Sequence, residues 1–253
     1  FDSGNAVVIA RMWYSFPIGE NFTVVGGPRV RQDDMLPVWP SAYPAAMTYD
    51  FFTYAGAPGA YNLALGGGAG IYWTSDDFSI ATSYLSTNAN SSDPNTGGFM
   101  TDGAGSSATT QIAYAPENWG IAAAYTYASG ANGPGLYVGN ATAGAAAASA
   151  SSNTDSFGVS AWWMPEDSGI IPSISAGYGG TWAEFMNDDV YTNSWYVGLE
   201  WSDAFVDGNS LGFAIGQPTW IAETDDGDLN EEAGFAYELF YKFQVTDNIS
   251  VTP

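Results

Sequence analysis

The chain has 253 residues, with 4 Lys+Arg against 27 Asp+Glu, no His and no Cys, giving a formal charge of −23. Without His or Cys there is no Ser-His-Asp triad, no thiol nucleophile and no ordinary zinc or iron–sulfur ligand set, so no catalytic residues, cofactor or metal are expected. Four basic residues cannot neutralise a nucleic-acid backbone, and no apolar run is long enough for a membrane-crossing helix.

Period-2 alternation recurs along the chain, while helical periodicity is nearly absent. Strands are predicted over 5–17 and 21–31, joined at Gly19. Met12, Tyr14 and Phe16 alternate on one face of the first, which sends Arg11 to the other. Phe22, Val24 and Val30 do the same in the second and send Arg29 and Arg31 to the opposite face. Pro28 counts against a regular strand and marks a candidate bulge. Beyond the long connection 32–66 come strand pairs at 67–75 and 78–87, 107–115 and 119–129, and 154–164 and 171–180. Two more follow, at 191–201 and 210–219 and at 232–242 and 247–253. Their short turns centre on Asp76, Glu117, Glu166, Asp207 and Asp247, and longer connections at 88–106, 130–153, 181–190 and 220–231 separate the pairs. The low-complexity tract Ala143–Ser152 is expected to be flexible and is assigned no function. Short turns at one end and long loops at the other describe an up-and-down meander.

Which face is apolar separates a membrane barrel from a soluble β-sandwich or barrel. Trp195, Val197, Leu199 and Trp201 share one face with Tyr196, Gly198 and Glu200 opposite; Phe235 to Phe243 repeats the pattern with Ala236, Glu238, Phe240 and Lys242 opposite. Three observations favour lipid outside. Only Glu200 and Glu238 among the acids sit in a strand interior, both on the small or polar face. Aromatic residues flank the short turns as an interfacial girdle would: Phe16, Phe22, Trp73, Phe78, Trp119, Trp163, Trp201 and Phe243. The segments also match the ~9–11 residues of a tilted membrane strand. The expected fold is therefore all-β, a transmembrane antiparallel up-and-down β-barrel. The chain begins at Phe1 without an initiator Met and stops within an apparent strand, so it is expected to be a fragment, with about 12 strands of a barrel of about 16.

An arginine facing lipid costs about 2–4 kcal/mol at mid-depth, so Arg11, Arg29 and Arg31 are expected to line the lumen with Glu200, Glu238 and Lys242. The arginines form a positive stripe there, or they pair with Asp33 or Asp34 and brace the wall. The 32–66 connection is rich in proline and carries Trp39, Tyr43, Tyr49, Phe51, Phe52 and Tyr54. A loop this apolar folds into the lumen as a constriction or packs on a neighbouring protomer; alternatively it is a surface loop with its own small core. The acidic run Asp225–Glu232 lacks full calcium-loop spacing, and it and Asn187–Asp189 read as solvated, with weak divalent bridging as the alternative. Glu200 and Glu238 are numerically a glycosidase pair, but a pore lining explains two carboxylates on small-residue faces, and no enzyme is expected.

GLEWSDAFVDGNSLG over Gly198–Gly212, YGGTW over Tyr178–Trp182 and ELFYKFQVTDNISVTP over Glu238–Pro253 resemble the barrel of cyanobacterial outer-membrane porins. IARMWYSFP over Ile9–Pro17 and GGPR over Gly26–Arg29 agree. These porins are grouped with the carbohydrate-selective porins and are also described as iron-uptake porins. The resemblance covers essentially the whole chain. It implies residues 1–253 as part of an outer-membrane barrel, a passive channel for small solutes and inorganic ions, and a homotrimer in outer-membrane lipid. It also implies a surface-layer-homology domain on peptidoglycan and terminal strands outside this chain. An outer-membrane structural or adhesion barrel and a secreted glycan-binding β-sandwich are the rival functions.

Overall fold

The computed structural model describes residues 7–44, 49–129, 133, 141–151, 153–166, 169–185, 188–225 and 233–252. Twelve antiparallel strands form one sheet in which each is hydrogen-bonded to its neighbours in sequence. They are β1 (Met12–Ile18), β2 (Phe22–Arg31), β3 (Leu65–Ser75), β4 (Phe78–Ser86), β5 (Ser106–Tyr114) and β6 (Trp119–Ala128). After a helix α1 (Ala143–Ser151) follow β7 (Thr154–Trp163), β8 (Ser173–Phe185), β9 (Asp188–Ser202), β10 (Ser210–Thr224), β11 (Ala236–Thr246) and β12 (Ile249–Val251). Every predicted strand has its counterpart. No helix among the described residues is long and apolar enough to cross a membrane.

The sheet turns its large side chains outward. Trp119 is 45% and Tyr237 58% exposed, while Gly198 on the opposite parity is buried. Across the ladder, Phe22 faces Trp73, Phe78 faces Tyr114 and Trp119 faces Trp163. The inner parity carries Ser83, Thr109, Thr126, Ser160 and Ser194, all buried. A soluble sheet would bury Trp119 and show Ser160 to water; here the order is reversed, as in a transmembrane up-and-down β-barrel.

Boundaries differ from the prediction where alternation continues through residues that look like loop. The sequence predicts a long connection over 181–190, yet β8 runs to Phe185 and β9 starts at Asp188. The acids Glu184, Asp188 and Asp189 occupy the tips of two long strands, because Ala183 and Val190 still pack inward and Trp182 and Tyr191 still stack outward. β10 continues to Thr224 past irregularities between Gln217 and Trp220, next to Pro218. β1 and β12 are shorter than predicted. Residues 226–232 of the acidic run, and Asn187, lie outside the described residues.

Candidate functional site

The site is the inner face of the wall together with the chain that covers it. Leaving β2, residues 32–44 and 49–64 turn back against the inner parity of the sheet. A 3-10 turn at Gln32–Met35 buries Gln32, whose Nε2 donates to the Ala60 carbonyl (2.9 Å) and to Thr109 Oγ1 (2.6 Å). The same amide's Oε1 accepts from Leu63 N at 3.0 Å, so one side chain closes the base of the loop. Met35 packs with Val25, Val30, Ala64 and Leu85.

The loop then runs over β8 to β11. Backbone N–H groups of Ala42 and Tyr43 donate to Ser175 Oγ (2.9 and 3.1 Å), and Ser41 Oγ meets Tyr196 Oη at 2.7 Å. Tyr43 makes edge contacts with Phe52, Tyr196 and Phe240 at centroid distances of 6.4, 6.4 and 6.1 Å. Its hydroxyl donates to Glu238 Oε1 (2.8 Å), and Tyr49 N donates to Glu238 Oε2 (2.8 Å). Burial, reinforced by the Glu238 carboxylate, pushes the Tyr43 phenol well above the ordinary tyrosine range. Burial does the same to Tyr61.

The return leg is fastened to the wall through its own carbonyls. Ser160 Oγ donates to the Ala55 carbonyl (3.2 Å), Ser194 Oγ to that of Gly56 (2.8 Å) and Thr126 Oγ1 to that of Ala60 (2.6 Å). Such close approach requires glycine on both sides. A Cβ on Gly177 would stand 1.8 Å from the Ala55 carbonyl oxygen, and one on Gly56, whose φ is +70°, would stand 2.4 Å from the Gly177 carbonyl oxygen. The small hydroxyl-bearing face is thus a docking track for backbone.

Sequence-predicted residues fall into three groups. Trp39, Tyr43, Tyr49, Phe51, Phe52 and Tyr54 all belong to the inward loop; Phe51, Phe52 and Tyr54 are buried, and Trp39 makes an edge contact with Tyr61 at 5.5 Å. Glu238 lies on the inner parity but is only 4% exposed, covered by Tyr43 and Tyr49 rather than facing open lumen. Glu200 stays half-buried on the inner face of β9 with Lys242 of β11 in electrostatic reach.

Arg29 and Arg31 depart from the alternation. The β2–β3 register shifts between Gly27 and Val30, next to Pro28, and the added residue reverses parity. Val30 therefore points inward, fully buried, and Arg29 is exposed. Arg31 pairs with Asp33, and Arg11 with Asp34 at 2.6 Å. Arg29 Nε donates to the Ala10 carbonyl at 2.8 Å. No shared positive stripe forms on the inner wall among these three.

Of the girdle residues, Phe16, Phe22, Phe78, Trp119, Trp163 and Phe243 are exposed on the outer side. Trp73 and Trp201 are half-buried, Trp73 against Phe78 at 6.0 Å and Trp201 donating Nε1 to the Ile170 carbonyl at 2.8 Å. A second aromatic level, near the long-loop ends, is absent from the sequence prediction: Tyr84 with Phe99 (5.0 Å), Phe157 with Trp182 (5.4 Å) and Trp182 with Tyr191 (5.1 Å). Its signal is nonetheless present, since Tyr84, Trp182 and Tyr191 hold the outward parity at strand ends.

A family model described as carbohydrate-selective porin, OprB family, matches residues 53–253. The uncharacterized protein sll0772 of Synechocystis sp. is 28% identical over 283 residues, covering 100% of this chain and 50% of its own length. The uncharacterized protein alr4550 of Nostoc sp. is 31% identical over 212 residues, covering 78% of this chain and 35% of its own length. The chain therefore spans half or less of these relatives. With an outward apolar face, an inward polar one and a loop laid along it, this chain belongs to the OprB family of carbohydrate-selective porins.

Proposed function

We propose that the chain is the channel-forming part of a passive outer-membrane porin, through which small solutes and inorganic ions cross without a chemical step. The observation that carries this reading is the aromatic loop 32–66 lying on the polar inner face while the large residues of the strands face outward. In this reading the loop narrows the lumen, and Glu200 and Lys242 border its water on the inner wall. Arg11, Arg29 and Arg31 brace the β1–β2 hairpin, and the outward aromatic residues near the short turns sit at headgroup level.

The family description supports small sugars as one solute class. Iron has no ligand cluster behind it among the described residues. A homotrimer and an attachment to peptidoglycan rest on the family resemblance alone. The test is reconstitution of the full-length protein into planar bilayers, with sugar permeation followed by liposome swelling. Discrete ohmic steps are expected; a silent bilayer from protein that still shows heat-modifiable migration would overturn the channel.

A further inference from the structure

The tract Ala143–Ser151, which reads from sequence as flexible, is a helix docked on the inner side of the wall. Its start is tied down by Thr142 N donating to the Thr219 carbonyl at 3.0 Å. Ala145 and Ala148 are fully buried against Ala183 of β8, Val190 of β9 and Ile221 of β10.

The wall beneath it explains the docking. Among the described residues, the groups of large apolar side chains on the inner parity lie under inward elements. Val25, Val30 and Leu85 lie under Met35, and Tyr196 and Phe240 lie under Tyr43 and Phe52. Val190 and Ile221 would face water on a wet wall, and α1 removes them from it. Ala183 and Val190 stand four residues nearer the long-loop end than Gly179 and Ser194, which hold loop 32–66. At ~3.4 Å per residue that is roughly 13 Å along the strands.

We propose that α1 is a second sieve, in series with loop 32–66 and outside it on the long-loop side, whose uncharged methyl face borders the solute path. This rests on the porin reading above. The helix turns Ala143, Ala147 and Ala150 away from the wall, exposed. A solute entering from that side meets small, neutral groups before the aromatic loop. The outer passage then discriminates by size, and charge discrimination is left to the residues deeper in.

These 253 residues hold no cysteine, and the unsubstituted protein reads out any thiol elsewhere in the full-length chain. In the full-length protein in planar bilayers, Ala147→Cys and Ala143→Cys are treated with a cationic methanethiosulfonate, with Ala145→Cys and the unsubstituted protein as controls. Expected are a stepwise loss of conductance and a shift of reversal potential toward anions at 147 and 143, with neither change in the controls. If 147 and 143 take up reagent by mass but conductance holds, or if neither reacts, α1 is not on the path. Equal reaction at 145 means that the helix is not docked, which also overturns the proposal. A silent unsubstituted channel would instead sink the porin reading.

Discussion

Loop 32–66 and α1 enter the same inner side of the wall, yet opposite chemistry holds them there. The loop is fixed by hydroxyl-to-carbonyl hydrogen bonds, by the Gln32 and Glu238 side chains, and by interlocked rings. The helix presents methyl groups to methyl groups over Ala183, Val190 and Ile221, with a backbone hydrogen bond at its start. Directional bonds in a water-poor crevice fix position, because breaking one leaves a buried polar atom without a partner. Contacts between alanines and aliphatic groups resist sliding far less. In the proposed channel, the loop would hold one aperture and the helix would border the mouth.

The largest effect that would break this contrast comes from removing the loop. Deleting residues 36–60 takes out Tyr43, Phe51, Phe52 and the return leg while leaving the strands intact. A severalfold rise in single-channel conductance is expected; an unchanged conductance would mean that the loop does not set the aperture. Gly177→Val is a finer probe. Its first side-chain carbon alone would stand 1.8 Å from the Ala55 carbonyl oxygen, so the loop must lift. Overpacking of this kind costs about 1–3 kcal/mol, read as a lower midpoint in urea unfolding followed by tryptophan fluorescence, and conductance is expected to rise with it.

These two regions also show what is legible in the sequence. All twelve strands are, because each face meets a different solvent and the alternation survives every turn. The inward placement of loop 32–66 is one of several readings its composition allows: its rings demand burial, but composition does not say against what. The helix is hidden. A run of alanine and serine has strong helix formers but no apolar stripe, so periodicity gives no sign of a partner face, and the partner residues Ala183, Val190 and Ile221 come from three later strands. Alternation misplaces Arg29 and Arg31 because a bulge shifts parity by one residue, and Pro28 hints at the irregularity without fixing its count. Alternation puts Glu238 on the inner face, but only the fold reveals that Tyr43 and Tyr49 cover it.

The anchor at Glu238 gives the next prediction. Tyr43→Phe removes one hydrogen bond to a carboxylate and is expected to cost about 1.5–3 kcal/mol in the same urea assay. A pH dependence follows from the same contact. Burial and Glu238 hold Tyr43 protonated in the folded protein, while an unfolded tyrosine loses its proton at about pH 10. Above that pH the unfolded state binds fewer protons than the folded one, so stability is full below about pH 10 and falls as pH rises beyond it. Tyr61 adds to the same slope. Tyr43→Phe should make the alkaline decline shallower, whereas a parallel curve would mean that Tyr43 is not held neutral by its surroundings.

The smallest expected effect lies where the loop leaves β2. Arg11 reaches Asp34 at 2.6 Å, with its side chain 36% exposed. An ion pair so open to solvent contributes roughly 0–1 kcal/mol, so Arg11→Ala should hardly move the urea midpoint. Asp34 also serves the backbone, since its Oδ2 accepts from Arg31 N at 2.9 Å and closes the 3-10 turn that delivers Gln32 to the wall. Asp34→Ala loses a cap as well as a pair and is expected to cost about 1 kcal/mol. If Arg11→Ala proves as costly as Asp34→Ala, the ion pair rather than the turn directs the loop inward. The contrast between a loop fixed by directional bonds and a helix held by methyl contacts would then have to include charge.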